Sequence, residues 1–147
     1  MADRTSSTIT IAAPRHSVMS VIADFAAYPS WAGLQSAEVL GEPDPNGRAR
    51  RVRFGLAAGF IKDSFVLDYR WQDDEEVRWD LAEPGSVIST MSGAYLLADQ
   101  NRETQVTFEL TIGARIPVIG TVRRRVEKTI IETALNGLKS RAEGDLP

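Results

Sequence analysis

The sequence predicts an α+β fold: a curved antiparallel sheet of about seven strands closed against one long C-terminal helix, with two short helices after strand 1. Three observations predict it. Hydrophobic periodicity is two from about residue 34 to 113, it turns helical from about 121 to 142, and a proline-interrupted helical stretch follows the first strand. The chain shows no interdomain linker, internal repeat or low-complexity segment, so residues 1–147 read as a single domain.

Residues 6–12, S-S-T-I-T-I-A, are β-branched and partly alternating, the pattern of a strand. Pro14 suits the first turn of a helix, where its missing N–H costs nothing, and Val18, Val21, Ile22 and Phe25 follow at helical spacing. Tyr28 precedes Pro29 and is pushed towards extended geometry, so residues 14–32 read as two short helices with a bend. S-A-E-V-L-G-E then meets the turn signal P-D-P-N-G, residues 43–47, which predicts a hairpin. R-R-V-R-F (50–54) alternates charged with apolar, and S-F-V-L-D-Y-R-W (64–71) puts Phe65, Leu67, Tyr69 and Trp71 on one face. After the acidic turn at 73–76, Val77, Trp79 and Leu81 line a strand that E-P-G (83–85) ends. Residues 87–98 form the next strand, and Q-V-T-F-E-L-T-I places Val106, Phe108, Leu110 and Ile112 together.

The terminal helix, about 33 Å long at 1.5 Å per residue, is long enough to cross the sheet. Arg123, Arg124, Arg125 and Lys128 read as its solvated face, with Val122, Val126 and Ile130 as the apolar first half. Thr133, Ala134 and Gly137 occupy a similar angle later. Such small residues either leave room for a ligand or let the helix approach its neighbours closely. A curved sheet with one apolar face must bury that face, and only this helix is long enough to cover it.

Composition excludes several classes. A formal net charge of −3, from 17 basic and 20 acidic residues, argues against a nucleic-acid partner. With no cysteine there are no disulfides and no thiolate chemistry, and with one histidine a metal site is not expected. The N-terminal stretch lacks the apolar core of a secretory signal, and no run reaches the length of a membrane span. The expectation is a cytoplasmic domain that is not an integral membrane protein. No P-loop, dinucleotide fingerprint or nucleophile elbow is present, so no cofactor is expected. His16, at a helix start, reads as a surface residue.

The stretch I-T-I-A-A-P-R-H-S-V-M-S-V-I-A-D-F-A-A-Y-P-S-W resembles the opening of the START-like, or SRPBCC, superfamily. Within it the polyketide cyclase/dehydrase and coenzyme-Q-binding-like group is most similar. Trp79-x-Leu81, Gly93-x-Tyr95-x-Leu97, T-x-V-T-F-E-L (104–110) and the I-P-V-I-G link carry the resemblance through about residues 7–143. It implies a helix-grip fold enclosing a hydrophobic cavity, and a function in binding, transporting or presenting a lipid, quinone or polyketide. The alternative it implies is a polyketide aromatase/cyclase or dehydratase using polar cavity residues.

Taken with the strand faces, the candidate cavity wall is Trp31, Phe54, Phe65, Leu67, Tyr69, Trp79, Tyr95, Phe108, Val126, Ile130 and Ala134. Trp31 is the ring of D-F-A-A-Y-P-S-W expected to reach the cavity, while Tyr28 is expected to pack at the bend. The entrance is expected near the glycine-rich stretch 55–60 and the I-P-V-I-G link. Tyr69 and Tyr95 are the catalytic candidates, because a phenol can donate to a carbonyl or enolate. The competing reading makes each an amphipathic core residue whose hydroxyl is satisfied nearby. Asp68, Arg70, Asp80 and Glu109 alternate with the apolar face and should point outward. The run at 123–125 also offers a contact for a protein partner, which the sequence leaves unidentified.

Overall fold

β-Branched and alternating segments pair into one sheet, as the periodicity requires. The computed structural model describes residues 5–58, 61–115 and 120–144. Its strands are β1 (Thr5–Ile11), β2 (Ser36–Leu40), β3 (Arg51–Ala58), β4 (Ile61–Gln72), β5 (Glu76–Glu83), β6 (Ile88–Gln100) and β7 (Glu103–Ala114). They form one antiparallel sheet in the order β1-β7-β6-β5-β4-β3-β2. β2 to β7 therefore follow one another as sequence neighbours, and β1 closes the far edge through the ladder from Thr5↔Leu110 to Ile11↔Thr104.

Alternation decides which face is buried. Along β7 every second residue, Thr104, Val106, Phe108, Leu110 and Ile112, turns inward. The register slips between Val66 and Leu67 on β4 and between Ile88 and Thr90 on β6. Such bulges bend a strand and increase its twist, and here they accompany the curvature that wraps the sheet around a helix. The first slip also buries Phe65, Val66 and Leu67 in succession.

Between β1 and β2 run α1 (Arg15–Ala23), a 3-10 turn (Phe25–Ala27) and α2 (Tyr28–Trp31). Tyr28 is not extended as its position before proline suggested: at φ −54° and ψ −39° it is helical and opens α2. Pro29 in the first turn forfeits no helical N–H. Tyr28 is held there by its hydroxyl, which donates to the Ile22 carbonyl, and by its ring stacked 5.7 Å from Phe54.

The long helix α3 (Gly120–Ala142) lies in the concave face, but its buried line differs from the expected one. Glu127, Ile131, Ala134, Leu135 and Leu138 are buried, and Val126 is 50% exposed. The reason is a buried carboxylate. Glu127 accepts hydrogen bonds from the Thr5 hydroxyl at 2.6 Å and from the Ile112 N–H at 2.7 Å. Ile112 lies beyond Thr5↔Leu110, the first described pair of the β1–β7 ladder, and there the glutamate supplies its acceptor. A buried N–H left without one costs about 1–3 kcal/mol. Gly137 faces α2: a Cβ there would lie 2.1 Å from the Trp31 carbonyl oxygen. Its smallness serves close approach between helices and opens no space. Among the described residues no helix is long and apolar enough to cross a membrane.

Candidate functional site

Three neighbouring strands bring the central rings together. Tyr69 on β4 pairs with Trp79 on β5, and Trp79 pairs with Gly93 on β6. Tyr95, two residues along β6, lies on the same face with its ring 5.4 Å from Trp79; Tyr69 lies 5.6 Å from Trp79 on the other side. Gly93 makes this possible. A Cβ there would fall 2.4 Å from the indole Cζ2, so the glycine lets Trp79 lie flat against the sheet.

In front of these rings is a cavity of about 260 Å³ between the concave sheet and α3. Phe54, Phe65, Leu67 and Phe108 extend its sheet-side wall, Tyr28 joins them from α2, and Ile130 and Ala134 face it from α3. The lining residues that are also exposed are Gly33, Ala57, Thr129 and Thr133, and they mark its mouth. The opening thus lies between the loop after α2, the end of β3 and the middle of α3.

Nine of the expected wall residues line this space: Phe54, Phe65, Leu67, Tyr69, Trp79, Tyr95, Phe108, Ile130 and Ala134. Trp31 and Val126 do not. Trp31 is buried against Tyr28, with ring centroids 4.8 Å apart, and its backbone abuts Gly137; Tyr28 takes the place at the wall. Val126 is turned out because Glu127 occupies the inward position. Of the expected entrance, Leu56 and Ala57 belong to β3 and line the cavity, while residues 59–60 and 116–119 lie outside the described residues. Sequence reasoning missed Leu34, Met91 and Thr129, and named Thr133 only as one of three small helix residues that either leave room for a ligand or allow close approach. The two threonines stand four apart on α3, a spacing that puts them on one face, but nothing in their chemistry announces a cavity.

No charged side chain lines the cavity among the described residues. The charges of the central strands face the other side: Arg51 bonds Asp68 at 2.7 Å, and Arg70 bonds Asp80 at 2.8 Å, both pairs well exposed. The polar groups at the wall are mainly phenols. Burial pushes the Tyr69 hydroxyl well up, with a smaller contribution from Tyr95, and burial likewise pushes Tyr95 up. Both stay protonated at any physiological pH, able to donate a hydrogen bond and unable to serve as anionic bases. Among the described residues no group of three or more His, Cys, Asp and Glu side chains is placed to hold a metal.

A helix gripped by a curved seven-stranded sheet over an apolar cavity defines the START-like class. The sequence places the chain within it: a family model described as polyketide cyclase/dehydrase and lipid transport matches residues 2–143, and the chain belongs to that family. Solved structures agree on the fold. A START superfamily protein from Mycobacterium smegmatis is 19% identical with a TM-score of 0.87, covering 96% of this chain and 97% of its own. The Zhui aromatase/cyclase from a Streptomyces species is 17% identical with a TM-score of 0.79, over 99% and 96% of the two chains. A protein from Thermus thermophilus is 21% identical with a TM-score of 0.78, over 99% and 100%. No curated protein matches the sequence.

Proposed function

We propose that this domain binds a hydrophobic small molecule of the lipid, quinone or polyketide kind in its internal cavity, and so carries or presents it. The observation that supports this best is an apolar space kept open, with no charged side chain among the described residues that line it. Apolar space left unpacked forfeits contacts that a filled core would make, and here about 260 Å³ is left so. Larger side chains at Ala32, Ala57 or Ala134 would close it, yet alanine stands at each. A ligand recovers the loss, at about 0.8 kcal/mol per buried methylene. The volume lies just below the roughly 300–1,000 Å³ of drug-sized sites, which suits a compact ring system or a chain whose tail leaves by the mouth.

The aromatase/cyclase reading draws support from the family and from the Zhui aromatase/cyclase among the structural relatives. It needs groups that take and return protons at the substrate. The described wall supplies only uncharged hydroxyls, with the ionisation of the Tyr69 and Tyr95 phenols suppressed; the Arg51–Asp68 and Arg70–Asp80 pairs face away, and the buried Asp63 carboxylate is taken up by backbone N–H groups. Binding without turnover is the better fit.

Native mass spectrometry of the protein purified from cells tests the proposal. A co-purifying apolar molecule that organic extraction removes is the expected result. Repeated recovery of ligand-free protein that also takes up no added hydrophobic probe would sink it.

A further inference from the structure

Three tyrosines stand at the cavity wall, and the fold treats them differently. The Tyr28 hydroxyl is tied to the Ile22 carbonyl. The hydroxyls of Tyr69 and Tyr95 make no hydrogen bond to any described residue, although the side chains are only 8% and 4% exposed. Neither hydroxyl is a sealed polar atom: both open onto the cavity, where phenylalanine would give the same wall without a donor. Phe54, Phe65 and Phe108 show that phenylalanine is already used on this wall.

We propose that Tyr69 and Tyr95 form a polar anchor for a neutral ligand bearing a hydrogen-bond-accepting oxygen, foremost a ketone or quinone carbonyl. The inference rests on reading the space as a ligand cavity and narrows what fills it. The rings flank Trp79 and face one space, so both O–H donors serve the same region. A carbonyl oxygen held in that space can accept from such a donor, and a ligand with two carbonyls can engage each phenol separately. A carboxylate is disfavoured, because no cation lines the described wall to offset its desolvation. A pure hydrocarbon is disfavoured too, since it would leave both hydroxyls unpartnered.

Three probes on one naphthalene frame separate these cases: 2-acetylnaphthalene, 2-ethylnaphthalene and 2-naphthoate, each titrated into nitrogen-15-labelled protein and followed by NMR. The ketone is expected to bind about fivefold or more tightly than the hydrocarbon, with the carboxylate weakest. Tyr69→Phe and Tyr95→Phe should each reduce the ketone-to-hydrocarbon ratio about threefold, and the double variant should abolish it. Equal ketone and hydrocarbon binding in the unaltered protein overturns the anchor, as does a ratio that survives in the double variant or a naphthoate that binds tightest. In each of those results at least one probe still binds, so the cavity itself stands. Failure of all three probes to bind removes the cavity reading, and the anchor with it.

Discussion

Towards the C-terminal half of α3, Val18, Met19 and Ile22 of α1 are fully buried, with α1 packed on α3, β6 and β7; Ile11, Val106 and Leu138 are buried in the same core. Towards the N-terminal half the same sheet and the same helix enclose about 260 Å³ of open space. Aromatic rings from β3 to β7 line that open end, while aliphatic side chains fill the closed one. Size alone therefore does not fill a core. An inserted helix does: α1 is packed into the closed end, whereas α2 only borders the open one, through Tyr28 and the loop that follows. The wide aromatic side chains act as walls, each braced by the next: Tyr69 on Trp79, Trp79 on Phe108, Phe108 on Tyr95 at 4.5–5.6 Å between centroids.

The sharpest way to break this contrast is a pair of truncations on one helix. Leu138→Ala, at the closed end and fully buried, should cost about 3 kcal/mol, the transfer term plus a new cavity. Ile130→Ala, beside space already empty and partly exposed, forfeits fewer contacts and should cost under about 1 kcal/mol. Urea unfolding of the two variants measures both. Equal losses would mean that the open end is packed as tightly as the closed one.

Polar bonds take over part of what packing does at the open end. The buried Asp63 carboxylate accepts the N–H groups of Ser86, Val87 and Ile88 at 2.7, 3.2 and 2.8 Å, which holds the β5–β6 connection beside the cavity-lining Ile88. Burial works to raise its pKa, but the N–H groups of Ile88, Ser86, Ser64 and Val87 outweigh that and hold it below the usual carboxylate range. A depressed folded-state pKa contributes stability that is fully present above the unfolded value, near 3.9, and is lost as pH falls through the folded one. Asp63→Asn should therefore cost about 2 kcal/mol at pH 7, and its deficit should narrow below about pH 4. Urea midpoints at pH 7 and pH 3 check this. A deficit independent of pH would mean that shape, not charge, organises the connection.

How much of this was legible in the sequence follows from where periodicity speaks. Alternation at Val106, Phe108, Leu110 and Ile112 gave the face of β7 directly, because a strand has only two faces to choose between. On α3 the same reasoning slipped by one residue. A helix face is about 100° per residue, and Glu127 reads as solvent-facing until its two donors, on β1 and β7, are known. Trp31 and Tyr28 exchanged places for a similar reason: which ring of a proline-broken turn reaches the wall depends on the Trp31–Gly137 contact between distant segments. The mouth was only partly visible, since Thr129 and Thr133 carry no signal except position.

A small expected change in stability is also the most direct probe of the wall. Gly93→Ala places a methyl where the Trp79 indole now lies, 2.4 Å from Cζ2. The strand geometry needs no glycine for its own sake, so the indole must yield, and open space lies only on the cavity side. The cost in folding should be about 1 kcal/mol, because the ring moves into a void and not into packed neighbours. The cost in capacity should be larger: 2-acetylnaphthalene should bind about tenfold more weakly, as the displaced ring occupies its place. Trp79→Phe added to Gly93→Ala should restore most of that affinity by trimming the intruding ring. If Gly93→Ala binds the ketone as well as the unaltered protein does, Trp79 does not bound the ligand space. The closed and open ends would then differ less than their packing implies.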